Sequence, residues 1–229
     1  MSTFLQLCVK VRREGAGAGS GPTAVAAQVG EYGRIVEWVL AADEHIQGLH
    51  GGRWKFLQTD FSFPTVAGTG NYTKATTSPT LPELGTWKED TFRCHLTATG
   101  VSDQQELEYV TWDEFRYVYA RGTSSTQQGR PSLFTIKPDN SVTFWPIPSA
   151  VYTITGEYYK RPQVMAADAS EPLIPREFQM AIVWKAVMLM GAYQEANGKF
   201  VSAQTEFKSV MHKLIRHQLN RVSYGAPLA

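Results

Sequence analysis

Five histidines are the side chains of this sequence best suited to proton transfer or metal binding: His45, His50, His95, His212 and His217. Two imidazoles that share a metal from one helix stand four residues apart, which stacks them on one face. His45 and His50 are five apart, and so are His212 and His217. Neither pair reads as the start of a ligand set, and all five read as surface or capping residues. Asp43, Glu44 and His45 are consecutive. Adjacent residues of a helix point in different directions, so the three read as a solvated face. The carboxylates of "TWKEDTF" and "TWDEF" read as turn or helix-cap residues. "GAGAGSG" (15–21) has the glycine content of a phosphate loop. It lacks the Lys and Ser/Thr that follow the last glycine, and a helix rather than a strand precedes it. No catalytic set, cofactor site or metal site is expected.

One charge pattern remains. After Glu206 the chain has no acidic side chain, yet Lys208, Lys213, Arg216 and Arg221 follow. Positive charge near a helix C-terminus offsets the helix dipole, and that accounts for part of the pattern. The rest fits an acidic docking surface on a partner, or DNA.

The positioning elements follow from periodicity. The 229 residues are 43% hydrophobic, 12% aromatic and 19% charged, with net charge +1. That is enough apolar content for one core, or for a core plus a smaller inserted domain. A near-zero charge creates no overall field that draws in nucleic acid or a membrane surface. Cys8 and Cys94 are two lone thiols and suggest a reducing compartment. No signal peptide is read at "MSTFLQLCVKVRRE". The most apolar run, "AIVWKAVMLMGAY", is well short of the roughly 20 residues a bilayer span needs and contains Lys185. A soluble protein made in the cytoplasm is expected.

Residues 2–14 read as a helix capped by Ser2 or Thr3, with Phe4, Leu7, Cys8 and Val11 on one face. A glycine-rich loop (15–22) leads to a second helix, about 30–49, striped by Ile35, Val39, Ala42, Ile46 and Leu49. "HGGR" (50–53) ends it with glycine suited to a left-handed cap. The period then becomes two. Strands are read at "WKFLQTDFSF", "DTFRCHLTATG", "QQELEYVTW" and "AVYTITGEYYKRP", with a hairpin at "SLFTIKPDNSVTFWPIP". A short helix capped by Asp113 covers 112–122, and "SSTQQGRP" is an exposed loop. A third long helix opens with Pro175 in its first turn and runs to about Ala196, where "NG" stops it. It is apolar almost all round, which points to burial on every side: a four-helix core can bury one such helix, and a subunit interface would do so more easily, which favours an oligomer. The last helix, about 199–222, carries Phe200, Ala203, Phe207, Val210, Leu214 and Arg221. The expected fold is α+β: a four-helix core built from both chain ends (1–53 and 162–229) with an inserted β-rich domain (54–161).

The segment "GEYYKRPQVMAADASEPLIPREFQMAIVWKAVMLMGAY" resembles the head-to-tail adaptor proteins of tailed bacteriophages, also called connector or head-completion proteins. "VRREGAGAGSGPTAV", "GEYGRIVEWVLAADEHIQ", "RWKFLQTDFSF" and "GRPSLFTIKPDNSVTFWPIP" are similar to the same family, so the resemblance runs along nearly the whole chain. It implies a structural, non-enzymatic virion protein at the neck between capsid and tail. It implies a ring of identical subunits, commonly twelve, that joins the portal protein to a tail or nozzle protein. Double-stranded DNA would pass through without sequence recognition, and no membrane is involved. The C-terminal segment of such adaptors often reaches the portal. Here that is about 208–229, with Lys208, Lys213, Arg216, Arg221 and Tyr224 as the expected docking residues. The β-insertion would face neighbouring subunits or the tail, and loops 15–22 and 122–130 would order on the portal. The alternatives are another phage neck or tail protein, such as a tail terminator or tail tube, and a small cytosolic enzyme.

Overall fold

A computed structural model describes residues 2–15, 19–77 and 79–219. In chain order its elements are α1 (Phe4–Glu14), α2 (Gly30–Gly48), β1 (Gln58–Pro64), β2 (Asn71–Tyr72), β3 (Leu84–Trp87), β4 (Arg93–Leu96), β5 (Gln105–Glu106), β6 (Glu108–Tyr109), α3 (Trp112–Val118), β7 (Gln128–Gly129), β8 (Leu133–Ile136), β9 (Val142–Trp145), β10 (Ile147–Pro148), β11 (Tyr152–Lys160), α4 (Met180–Tyr193) and α5 (Asn197–Gln218). The fold is α+β with a β-rich insertion. The chain divides into two compact units, residues 1–57 with 162–229, and residues 58–161.

In the helical unit, Thr3 opens α1. Its hydroxyl accepts from the Gln6 N–H at 3.4 Å, and the Gln6 side chain accepts from the Thr3 N–H at 3.1 Å. Two further N–H groups of the first turn, from Phe4 and Leu5, donate to the carbonyls of Ser170 (2.8 Å) and Asp168 (3.3 Å). The strap 162–175 thus satisfies helix-end donors that no intrahelical carbonyl can reach. The Asp168 carboxylate also accepts from the Val25 N–H at 2.6 Å. Phe4, Leu7, Cys8 and Val11 are all buried.

Ile35, Val39, Ala42 and Ile46 of α2 are fully buried, and Leu49 is half-buried. The helix stops because His50, Gly51 and Gly52 all take positive φ, at 54°, 67° and 71°. Trp54 follows, fully buried, and its indole N–H donates to the Ile46 carbonyl at 2.9 Å.

α4 packs against α1, α2 and α5. Ala181, Ile182, Val183, Ala186, Val187, Met188, Met190 and Gly191 are buried by these helices of its own chain. The four-helix core thus suffices to bury it. Pro175 is not in the first turn. Its ψ of 144° is extended, a 3-10 turn follows at Arg176–Phe178, and α4 starts at Met180. The break after α4 falls at Glu195, with φ 53°, and Asn197 and Gly198 instead begin α5. Gly191 lets the two helices meet closely, since a Cβ there would stand 3.1 Å from the Phe200 nitrogen.

Besides the two-stranded pair β10-β7, the β unit has two larger sheets among the described residues. One runs β1-β11-β4-β5, with β3 also on β11, and the other runs β2-β9-β8-β6. β11 is the long centre: it pairs with β1 from Tyr159↔Gln58 to Thr153↔Pro64, and with β4 and β3 along its other edge. Facing side chains of both sheets share one aromatic core. Phe92 stacks on Phe134 at 4.0 Å between centroids, and Phe61 meets Trp87 edge-on at 4.9 Å.

Three expectations need correction here. "QQELEYVTW" is not one strand: the chain leaves the first sheet after β5, buries Leu107, and enters the second as β6, parallel to β8. Asp113 does not cap α3. It lies inside the first turn, 3.5 Å from Arg116, and Thr111 is the cap residue. The 122–130 stretch is held within its own unit rather than waiting for a partner. Trp145 donates its indole N–H to the Ser124 carbonyl at 2.9 Å, and β7 pairs with β10. Arg130 reaches both Asp103 carboxylate oxygens at 2.8 Å and the Cys94 carbonyl at 3.1 Å. Its guanidinium, helped by the Leu96 N–H, holds the Asp103 carboxyl below the usual range.

Candidate docking surface

α5 sets out the basic side chains. Its inner face is Ala203, Met211, Leu214 and Gln218, all buried, at the three- and four-residue steps that keep one face inward. Lys208, His212, Lys213 and Arg216 lie outside that stripe, spread around the outward side of the helix, and are exposed. Val201, 58% exposed, adds an apolar contact two turns earlier on that side. Among the described residues Lys208, Lys213 and Arg216 have no ion-pair partner. Glu206 is the one acidic side chain of α5. The result is an unneutralised positive face on a rigid helix, suited to an acidic protein surface or to phosphates.

The base of this face is fixed. The Gln218 side chain accepts from the Phe56 N–H at 3.1 Å, which ties the end of α5 to the segment after α2. Sequence periodicity put Val210 and Arg221 on the apolar stripe. Val210 is only half-buried, and the inward positions are Met211 and Gln218. Of the expected docking residues, Lys208, Lys213 and Arg216 are exposed on α5, while Arg221 and Tyr224 lie outside the described residues.

The histidines are dispersed. His45 borders an open surface groove with Ala41, Glu44, Gly48 and Leu49. Partial burial and then the nearby Lys185 charge push its imidazole down. His50 stands edge-on to Trp54 at 5.1 Å, and His217 lies 5.5 Å from the Phe178 ring. His95 is in β4 opposite Thr153, and His212 is on the α5 surface. Among the described residues no three His, Cys, Asp or Glu side chains are grouped to hold a metal. No helix among them is long and apolar enough to cross a membrane. Of the glycine-rich loop, residues 16–18 lie outside the described residues.

Asp43 departs from the sequence reading. It is not solvated but 1% exposed, and burial pushes its carboxyl up to about 7 against an opposing hydrogen bond from Gln47. The signal was Gln47, four residues on and beside Ile46. Two polar residues flanking an apolar stripe can be drawn inward together when each satisfies the other.

A comparison with curated proteins finds no match to this chain. The model of the family described as "SU10 adaptor protein" matches residues 2–229, helical core and β-insertion alike, so the chain belongs to that family of bacteriophage adaptor proteins.

Proposed function

We propose that the protein is a head-to-tail adaptor: a ring of identical subunits that joins the portal to the tail or nozzle and extends the channel through which double-stranded DNA passes. Membership of the adaptor family over residues 2–229 carries this reading. The protein acts by assembly and geometry, not by catalysis, and resides at the virion neck. The basic face of α5, with Lys208, Lys213 and Arg216, supports docking on an acidic surface of the portal. Arg221 and Tyr224 extend the same docking segment. The β unit, with its own core, faces neighbouring subunits or the tail. Many equivalent contacts around a ring multiply weak individual ones into firm attachment.

Sedimentation of the protein with portal rings from the same phage tests this. Wild type is expected to co-sediment, more weakly as salt rises. The triple variant Lys208→Glu, Lys213→Glu and Arg216→Glu is expected to stay behind. Equal co-sedimentation of the triple variant would remove the α5 face from the docking site.

A further inference from the structure

Asp43 and its neighbours leave a deficit of hydrogen-bond donors. Oδ2 of Asp43 accepts from Gln47 Nε2 at 2.7 Å, while Oδ1 has no partner among the described residues. Gln47 is fully buried and turns the rest of its amide to the backbone of Gln163. Nε2 donates to the Gln163 carbonyl at 3.3 Å, and Oε1 accepts the Gln163 N–H at 2.8 Å. The side-chain Oε1 of Gln163 is a second buried acceptor without a donor. A buried acceptor left unpaired is costly, and an unpaired buried charge more so.

One proton on Oδ1 of Asp43 changes the balance. It removes the buried charge and turns an orphan acceptor into a donor, with Gln163 Oε1 the acceptor still open on the other partner of Gln47. Next to Asp43 on α2, Glu44 and His45 are exposed; of the elements packed on α2, α1 buries Cys8 and Arg12, and α4 carries Lys185. Lys185 acts on His45, and Asp168 acts on Cys8. The carboxyl of Asp43 is shifted by burial and by Gln47.

We propose that Asp43 is a proton-dependent clamp on the strap. With its proton, Asp43, Gln47 and Gln163 close one hydrogen-bonded cluster that fixes the chain just after β11. Without it, the cluster opens and the first residues of the strap come free of α2. The device gives the chain leaving the β unit a tether that tightens below neutral pH and loosens above it. It does not depend on what the assembled protein joins.

The test is hydrogen exchange of the Gln163 amide in the full chain between pH 4.5 and 8.5, corrected for the intrinsic rate. The opening equilibrium is expected to rise about tenfold per pH unit up to about pH 7 and then level off. Asp43→Asn, which keeps an acceptor for Gln47 and adds donors without charge, is expected to hold Gln163 protected at every pH. A flat wild-type profile, or an Asp43→Asn profile that tracks wild type, would overturn the clamp. If that variant does not fold, a carboxyl ¹³C titration of wild type decides: a midpoint for Asp43 above about pH 6 supports the proposal, and one below it overturns it.

Discussion

The ring of Phe61 lies against Gly156, its partner in the β1–β11 ladder. A Cβ on Gly156 would stand 2.9 Å from two ring carbons and 3.2 Å from the Thr91 carbonyl. Phe61 is 4% exposed and meets Trp87, Phe92 and Phe63 within the core, so it has nowhere to move. This explains the glycine in "TITGEYYK", a strand otherwise rich in β-branched and aromatic residues. Gly156→Ala is expected to lower stability by about 1–3 kcal/mol, the usual range for overpacking. Urea unfolding followed by tryptophan fluorescence measures it. An unchanged midpoint would mean that the ring yields freely.

Trp54 fastens the end of α2. Trp54→Phe removes the donor to the Ile46 carbonyl and part of a fully buried ring. A loss of about 1–3 kcal/mol is expected, because the carbonyl is left unpaired and a void opens. Thermal unfolding reads the change. A shift within error would show that water reaches the carbonyl.

Stability should fall as pH rises toward neutrality. Folding raises the Asp43 carboxyl from its ordinary 3.8 to about 7, so the folded state holds this proton more tightly than the unfolded chain. The Asp43 contribution is complete below about pH 4, declines as pH rises, and is exhausted above about pH 7. Its steepest slope is about 1.4 kcal/mol per pH unit. Chemical denaturation across this range should show the slope in wild type and its loss in Asp43→Asn. A wild-type stability that climbs between pH 5 and 7 would contradict this.

Both thiols should be silent in the native state. Burial pushes Cys8 up to about 12 and Cys94 up to about 11, so neither ionises near neutral pH. A chromogenic disulfide reagent at pH 8 is expected to find no thiol in the folded protein and two in denaturant. Prompt reaction of either in the native protein would place it outside the core.

Much of this architecture was legible in the residues. The apolar steps of α1 and α2, the Thr3 cap and the switch to period two all depend on neighbours in sequence, and periodicity reads such relations directly. What was not legible depends on partners far along the chain. Asp43 turns inward because Gln163, over a hundred residues away, meets Gln47. The chain changes sheets at Leu107 because Phe92 offers the Leu107 N–H a carbonyl at 3.0 Å. The order of 122–130 rests on Asp103 and Trp145. The basic residues of α5 were visible as a run of positive charge, but only the burial of Met211 and Gln218 shows which face carries them.

The measurement that bears most directly on the proposed adaptor role is the mass of the protein by light scattering, alone and then mixed with portal rings. A stoichiometric shift onto the portal is predicted, lost when Lys208, Lys213 and Arg216 are reversed in charge together. No association with the portal at any salt concentration would contradict the adaptor role.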